Sequence, residues 1–226
     1  MSLLKKLLSG NESFRNTYLK YASKLPSTPR KEFAILTCTD TRLNPIRIFH
    51  INVGDAEILR NAGNQITDDT IRSLSTAITN GVNEIVILGH TDCSLTKVSA
   101  QQVIRTLRNL GATLNLTSFI TSNEWLGMFS DEEINVRDQV VKLRSSPIIP
   151  TNVPIHGLLF NVTTGTVKIV VNGYKPLEMG KQISFQSKMP SLNMPHMEMP
   201  DIFASSLLSS LKSKSIMIKK PKELKE

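Results

Sequence analysis

Residues 84–93 have the sequence Glu-Ile-Val-Ile-Leu-Gly-His-Thr-Asp-Cys, an apolar run that ends in two side chains able to bind a metal. A run without polar alternation is typical of a strand in a sheet that is covered on both faces. Residues 33–37, Phe-Ala-Ile-Leu-Thr, form a second run of this kind and are followed by Cys38. The pattern predicts two buried strands with metal-binding residues at their carboxyl ends.

Three further strands are predicted from weaker or paired runs. They lie at residues 56–60, 153–162 and 166–171, and the turn Thr163-Thr-Gly165 joins the last two as a hairpin or as adjacent strands. Strands that alternate with helices along the first 170 residues indicate an α/β fold. We therefore expect a mostly parallel sheet of four or five strands flanked by helices, with an N-terminal helical arm and a C-terminal extension.

Helices are predicted from capping residues followed by apolar residues at helical spacing. Capping boxes at Ser9 and Ser130 and a cap at Thr67 predict three helix starts. A fourth helix is predicted directly after the strand at 84–89, with Cys93 in its first turn, where a helix N-terminus favours the thiolate. The residues of this fourth helix that are expected to face inward are Leu95, Val98, Leu107 and Leu110.

The composition changes after Tyr174, which predicts a domain over residues 1–175 and a tail over residues 176–226. Residues 189–200 hold four of the eight methionines and three prolines. This segment is either a soft-metal site, for instance for Cu(I), or, as we favour, a flexible linker or docking surface. A short amphipathic helix after Asp201 and a lysine-rich end could bind an anionic membrane surface, but packing on a neighbouring subunit is favoured.

The charge distribution excludes several classes of partner. The net charge is +8, yet six lysines and two glutamates in residues 212–226 account for half of it, and aromatic residues make up only 5%. No nucleic-acid partner is therefore expected. No apolar run reaches the ~20 residues of a membrane helix, and no secretory signal is recognisable. Two cysteines cannot form a disulfide framework, so we expect a soluble, cytoplasmic protein.

Both cysteines and one histidine fall where α/β folds concentrate function. Cys38 and His90 follow the carboxyl ends of two strands, where ligands bind in open parallel sheets, and Cys93 lies three residues beyond His90. Two thiolates and one imidazole suit zinc with a fourth position left open. The alternative is that these residues are two buried thiols and a core histidine without a metal.

The segment Cys38-Thr-Asp40-Thr-Arg42 adds a second element of chemistry. A carboxylate two residues from a metal ligand can reach the metal's fourth position, and Arg42 can pair with it in bidentate fashion. Two thiolates already balance the charge of Zn²⁺, so a carboxylate that accepts a hydrogen bond from hydroxide on the metal would help to align the nucleophile. The alternative is an ordinary ion pair in a loop.

The motif Cys-x-Asp-x-Arg, followed after 47 residues by His-x-x-Cys, resembles the β-class carbonic anhydrases. The segments Val53-Gly-Asp-Ala56, Arg60-Asn-Ala-Gly63 and Thr67-Asp-Asp69 are similar to the archaeal-type branch of that class. The resemblance extends over residues 33–171. One difference is visible: Ser94 and Leu95 follow Cys93 where that branch usually has Gly, so the shape of the pocket is expected to differ.

The resemblance implies zinc on Cys38, His90 and Cys93, an Asp40–Arg42 dyad, and a dimer as the minimal assembly. The implied reaction is reversible hydration of carbon dioxide to bicarbonate by zinc-bound hydroxide. One alternative is hydrolysis of carbon disulfide or carbonyl sulfide on the same zinc, because the branch includes such enzymes. A second is a non-catalytic zinc scaffold. Whether Asp40 itself ligates zinc in a resting form is left open.

Other polar residues are expected to have structural roles. These are Arg60, Asn61 and Gly63 as turn and site-wall residues, Asp68 and Asp69 at a helix start, and His50 and His156 as isolated histidines.

Overall fold

A five-stranded sheet lies at the centre of the computed structural model, which describes residues 2–18, 25–112, 123 and 125–176. Its strands are β1 (Phe33–Cys38), β2 (Ala56–Asn61), β3 (Glu84–His90), β4 (Ile155–Phe160) and β5 (Val167–Val171). Their order across the sheet is β2-β1-β3-β4-β5; the first four are parallel, and β5 is antiparallel to β4. The predicted α/β fold with a mostly parallel sheet is confirmed, including the terminal hairpin.

The two central strands are β1 and β3, as their apolar sequences predict. Adjacent residues on each strand point to opposite faces of the sheet, yet both are fully buried. This holds for Ile35 and Leu36 on β1 and for Ile87 and Leu88 on β3. Each face therefore carries its own apolar core. Burial of a leucine or isoleucine side chain stabilises a fold by roughly 1.5–3 kcal/mol. The paired cores consequently fix β1 and β3 side by side.

In the described part of the chain, five α-helices accompany the sheet: α1 (Leu3–Tyr18), α2 (Pro45–Ile48), α3 (Asp68–Thr79), α4 (Ala100–Asn109) and α5 (Glu132–Arg144). Leu74 of α3 and Val140 of α5 belong to the core cluster on one face of the sheet. The cluster on the other face contains Leu43 and Phe160 together with Cys38 and Cys93. Two of the three predicted metal ligands thus form part of the second core.

Two of the three predicted helix caps are wrong. Helix α1 begins at Leu3, not after Ser9, because Ser2 accepts hydrogen bonds from the backbone of the first turn and the Leu/Lys-rich residues that follow favour helix. The cap of α5 is Asp131, one residue after the predicted Ser130; its Oδ1 accepts a hydrogen bond from the Ile134 N–H at 2.7 Å. Thr67 caps α3 as predicted.

The helix predicted to follow His90 begins later than expected. Residues Ser94–Thr96 form a single 3-10 turn, and α4 begins only at Ala100, where Ser99 and Gln102 form a reciprocal capping box. Cys93 is therefore not in the first turn of an α-helix. Ala100 and Ile104 are the buried residues of α4. The residues Val98, Leu107 and Leu110, which were expected to face inward, are 39%, 40% and 79% exposed.

Several predictions concern residues outside the described ranges. They cover most of the 176–226 extension, including the Met-rich segment, the helix after Asp201 and the lysine-rich end. In the part of the chain that is described, no helix has both the length and the apolar character needed to cross a membrane.

Helix α5 approaches the sheet closely at glycines. A Cβ atom added to Gly157 of β4 would lie 2.8 Å from Val136 Cγ1 and 3.1 Å from Val140 Cγ2, both on α5. Real side-chain contacts are not this short, so a larger residue at this position would push α5 away from β4.

Gly157→Ala is therefore expected to lower the free energy of unfolding by about 1–3 kcal/mol, because the added methyl overpacks the helix–sheet interface. Urea unfolding followed by circular dichroism measures the change. Gly10→Ala is the control, since nothing lies within 4 Å of a Cβ at Gly10 on α1. Val136→Ala added to Gly157→Ala should recover part of the loss. A double variant less stable than the sum of the single effects would contradict this account.

Candidate metal centre

Three predicted ligand residues meet at the carboxyl end of the sheet. Cys38 ends β1 and His90 ends β3, and these strands are hydrogen-bonded neighbours. Cys93 lies in the following loop, just before the 3-10 turn. All three are buried, with exposed fractions of 4%, 1% and 1%. Their ligand atoms lie within 4.8 Å of one another, so the strand pairing brings together residues 52 and more positions apart in sequence.

The donor set suits a zinc ion. His90 Nδ1 lies 2.9 Å from the Thr91 carbonyl, which directs Nε2 towards the cysteines. Nε2 is buried and has no hydrogen-bond partner, although buried polar atoms are nearly always paired. Two sulfurs and this nitrogen are the ligands that zinc prefers, and Zn–S and Zn–N bonds of about 2.3 and 2.0 Å would fit within the cluster. His90, Cys38 and Cys93 could therefore hold Zn²⁺.

The two cysteines differ in their affinity for a proton. The Cys93 thiol beside Cys38, together with the Gly63 N–H, lowers the pKa of Cys38 to about 3 against the opposing effect of burial. The neighbouring Cys38 and burial raise the pKa of Cys93. The helix-dipole effect expected at Cys93 is absent because α4 begins seven residues later. A thiolate is therefore favoured at Cys38, the cysteine that ends β1.

The segment after β2 forms one wall of the site, as expected. Gly63, at φ +72°, donates its N–H to Cys38 Sγ at 3.4 Å, and a Cβ there would lie 2.6 Å from Leu95 Cδ1 and 3.0 Å from Phe129 Cε1. Arg60 Nε donates to the Cys38 carbonyl at 3.0 Å, and its Nη2 donates to the Asp40 carbonyl at 2.7 Å. Position 63 therefore requires glycine both for its conformation and for its close packing.

The contribution of α5 to this wall was missed in the sequence. Asn135 Nδ2 donates to the Gly63 carbonyl at 3.1 Å, and Gln65 Nε2 donates to Asn135 Oδ1 at 2.8 Å. Gln139 Nε2 donates to Asn135 Oδ1 at 3.1 Å, and Gln139 Oε1 accepts from the Ile66 N–H at 2.8 Å. The available signal was two amide residues four positions apart on a buried face of a helix. Their network fixes the Gly63 peptide.

Asp40 and Arg42 form the expected bidentate pair next to the cluster. Arg42 Nε donates to Asp40 Oδ1 at 3.0 Å, and Arg42 Nη2 donates to Asp40 Oδ2 at 2.8 Å. Asp40 Oδ2 lies 4.0 Å from His90 Nε2. The Arg42 hydrogen bonds hold the pKa of Asp40 well below its usual range. Asp40 is consequently a carboxylate at any physiological pH and can only accept hydrogen bonds there.

Asp92 is a second polar residue that the sequence did not single out. Its Oδ2 accepts from Arg42 Nη1 at 2.7 Å, its carbonyl accepts from Arg42 Nη2 at 3.0 Å, and its other carboxylate oxygen pairs with Lys97. The only signal in the sequence was an acidic residue between two metal-binding ones. The hydrogen bonds of Lys97 and then Arg42 lower the pKa of Asp92.

Apolar side chains surround this polar group. Leu43, Leu88 and Phe160 pack in the same cluster as Cys38 and Cys93, with Leu95, Phe129 and Val162 partly buried against them. A metal held here would combine an open side bearing one fixed carboxylate with walls suited to a small apolar molecule.

Comparison with known proteins gives a consistent result. The family model described as "Carbonic anhydrase" matches residues 33–167. A protein named β-carbonic anhydrase 1 from Mycobacterium tuberculosis is 31% identical over 66% of this chain and 88% of its own length. A carbon disulfide hydrolase from Acidithiobacillus thiooxidans is 30% identical over 74% of this chain and 90% of its own. The crystal structure of β-carbonic anhydrase isoform I from Trichomonas vaginalis has a TM-score of 0.70 at 33% identity, covering 77% of this chain and all of that one.

A metal titration tests the proposed ligand set. Metal-free protein is expected to bind one Co²⁺ per chain with a thiolate-to-cobalt absorption band, because two sulfurs lie in the cluster. Cys38→Ser, Cys93→Ser and His90→Ala should each weaken binding at least tenfold. His50→Ala is the matched histidine control and should bind as the wild type does. A full-strength band in both cysteine variants would show that the metal binds elsewhere.

Proposed function

This chain belongs to the β-carbonic anhydrase family, and on that basis we propose that it catalyses the reversible hydration of carbon dioxide to bicarbonate and a proton. Cys38, His90 and Cys93 would hold a zinc ion as the cofactor. The observation that carries the proposal is the position of the Asp40 carboxylate, fixed by Arg42 and 4.0 Å from the unpaired His90 Nε2. A carboxylate in this position can accept a hydrogen bond from a nucleophile on the metal, a role that a purely structural site does not require.

The chemistry divides between the metal and the residues of the chain. When bound, zinc acidifies a water molecule and so supplies a nucleophile at neutral pH. Asp40 would accept a hydrogen bond from the attacking water and so orient its lone pair towards the substrate carbon. Arg42 keeps Asp40 ionised and oriented through its two hydrogen bonds. The Gly63 N–H bond to Cys38 reduces the charge that the thiolate would donate to a metal.

The surroundings of the cluster suit a small linear substrate. The apolar side chains that pack against the two cysteines offer no charged group to a ligand. Carbon dioxide needs none, since it is neutral and is attacked at its central carbon. A proton must leave after each turnover, and no histidine is assigned to carry it.

Hydrolysis of carbon disulfide or carbonyl sulfide is the second candidate function. It is favoured by the 30% identity to the carbon disulfide hydrolase from A. thiooxidans, which is close to the identity to the β-carbonic anhydrases. The same nucleophile and the same Asp40 contact would serve, because both substrates are linear and apolar. The donor set does not distinguish them, so access to the site would decide between them.

A non-catalytic zinc scaffold is less well supported. Structural zinc sites are almost always closed by four protein ligands. In the described ranges the cluster has three members, and two neighbouring acids have other partners, Asp40 with Arg42 and Glu132 with the Cys93 N–H. An open fourth position is typical of catalytic sites.

We further propose that the chain works as a dimer or larger homo-oligomer in the cytoplasm. Leu3, Leu4, Leu7 and Leu8 on α1 are 58–72% exposed, and apolar groups of this size usually contact another chain. Both cysteines are free thiols, which a reducing compartment maintains. No nucleic-acid or membrane partner is proposed.

Asp40→Asn is expected to leave zinc bound and to lower kcat/KM for carbon dioxide hydration by roughly 10- to 100-fold, because the amide cannot replace the charged acceptor. Stopped-flow hydration assays and metal analysis of the same samples measure both effects. Asp69→Asn is the matched control, since Asp69 also pairs with an arginine, Arg72, but lies on the exposed surface of α3. Unchanged hydration by Asp40→Asn would refute the role of the dyad.

Parallel turnover assays with the three substrates separate the two candidate functions. We expect bicarbonate formation from carbon dioxide to be faster than sulfide release from carbon disulfide or carbonyl sulfide. Sulfide release without detectable hydration of carbon dioxide would reverse the assignment to the hydrolase.

A further inference from the structure

The Arg42 guanidinium is held from two separate segments of the chain. Nε and Nη2 donate to the two carboxylate oxygens of Asp40 at 3.0 and 2.8 Å, within the loop after β1. Nη1 donates to Asp92 Oδ2 at 2.7 Å and Nη2 to the Asp92 carbonyl at 3.0 Å, and Asp92 is 50 residues away in sequence. Four hydrogen bonds therefore define the plane of the guanidinium.

The bonds to Asp40 would not be sufficient by themselves. The Arg42 side chain is 43% exposed, and an exposed ion pair holds its partners only weakly because ordering a long side chain costs entropy. Arg60 holds the Asp40 carbonyl, but this bond restrains the backbone and not the two side chains, which could turn together. A contact to the Arg42 side chain from a different part of the chain would fix the direction of both relative to the three ligand residues.

Asp92 is well placed to provide that contact because its own position is fixed. It lies between His90 and Cys93, and its backbone has φ +61°, a left-handed conformation that aspartate tolerates better than most residues. The preceding Thr91 N–H donates to the Phe160 carbonyl at 2.9 Å, which ties the loop to β4. Lys97 pairs with the carboxylate oxygen that Arg42 leaves free, but its side chain is 58% exposed, so this pair adds little to the position of Asp92.

We propose that Asp92 is a positioning residue that clamps the Arg42 guanidinium and so keeps the Asp40 carboxylate directed at the open side of the three ligand residues. The inference rests on the proposed function, because only a reaction at that side would depend on the direction of Asp40. The competing explanation is that Asp92 merely stabilises its loop through Lys97. That explanation predicts that loss of Lys97 is as damaging as loss of the Asp92 carboxylate.

Three variants of the zinc-loaded full-length chain separate these explanations. Asp92→Gly removes the carboxylate and retains the left-handed backbone, and Asp92→Asn retains an acceptor oxygen in the same conformation. Lys97→Met removes the other partner of Asp92 and leaves Arg42 in place. We expect kcat/KM for hydration to fall about tenfold in Asp92→Gly and less in Asp92→Asn, and to stay within about twofold of the wild type in Lys97→Met.

A spectroscopic readout accompanies the kinetics. The Arg42 Nε–H signal in ¹⁵N NMR should exchange slowly with solvent in the wild type and in Lys97→Met, because that proton is held in a bond to Asp40. It should exchange rapidly in Asp92→Gly. This signal is independent of turnover, so it tests the clamp even if the wild type proves inactive towards all three substrates and the proposed function fails.

The outcomes that overturn the proposal are distinct. They are an unchanged Arg42 signal in Asp92→Gly, undiminished hydration in that variant, or an equal loss in Lys97→Met and Asp92→Gly. Loss of zinc from both Asp92 variants would also overturn it, since Asp92 would then be required for the metal loop itself. Selective loss in Asp92→Gly, with partial recovery in Asp92→Asn and zinc retained, supports it.

Discussion

The parallel pairing of β1 with β3 is the constraint on which the rest of this structure depends. Their register places Thr37 opposite Leu88, so Cys38 and His90 emerge side by side at one edge of the sheet. The pairing is stabilised by residues such as Ile35 and Leu88 that are buried on one face and Leu36 and Ile87 on the other. Apolar packing thus stabilises the strand pairing that brings together a polar cluster whose members are far apart in sequence.

Hydrogen bonds and charges around the cluster at this end of the sheet would set the properties of a bound metal. Two thiolates would neutralise a divalent ion and so weaken its lowering of the pKa of a bound water. Hydrogen bonds around the cluster would offset part of this loss. The Gly63 N–H bonds to one sulfur, and a carboxylate that Arg42 keeps ionised stands beside the open side. The buried amides of α5 fix the Gly63 peptide in turn. Each polar contact near the cluster is therefore supported by a second contact from another element.

Much of this arrangement follows from local sequence. Continuous apolar runs identify β1 and β3, and the residues that directly follow them identify the ligand set, because parallel strands share the edge at which they end. The spacing of Asp40 and Arg42 likewise predicts their pairing. These inferences depend on neighbours in sequence or on adjacent strands.

Other features depend on contacts that the sequence does not specify. The contact of Arg42 with Asp92 joins residues far apart, and nothing in either segment indicates the partner. Leu107 on α4 and Leu110 at its C-cap belong to an apolar stripe, but a stripe does not reveal whether anything covers it, and both are exposed here. The start of α4 was misplaced because the loop after β3 forms a 3-10 turn before a better cap appears at Ser99. Tertiary packing decides whether an apolar stripe is buried, and the better of two nearby capping residues decides where a helix begins.

The central claim, that this site hydrates carbon dioxide with one zinc ion per chain, is tested most directly by stopped-flow hydration assays on metal-stripped protein during stepwise return of zinc. The account predicts no catalysis by the stripped protein and a rate that rises in proportion to occupancy up to one ion per chain. Hydration that persists without metal, or a fully loaded protein no faster than buffer, would contradict it.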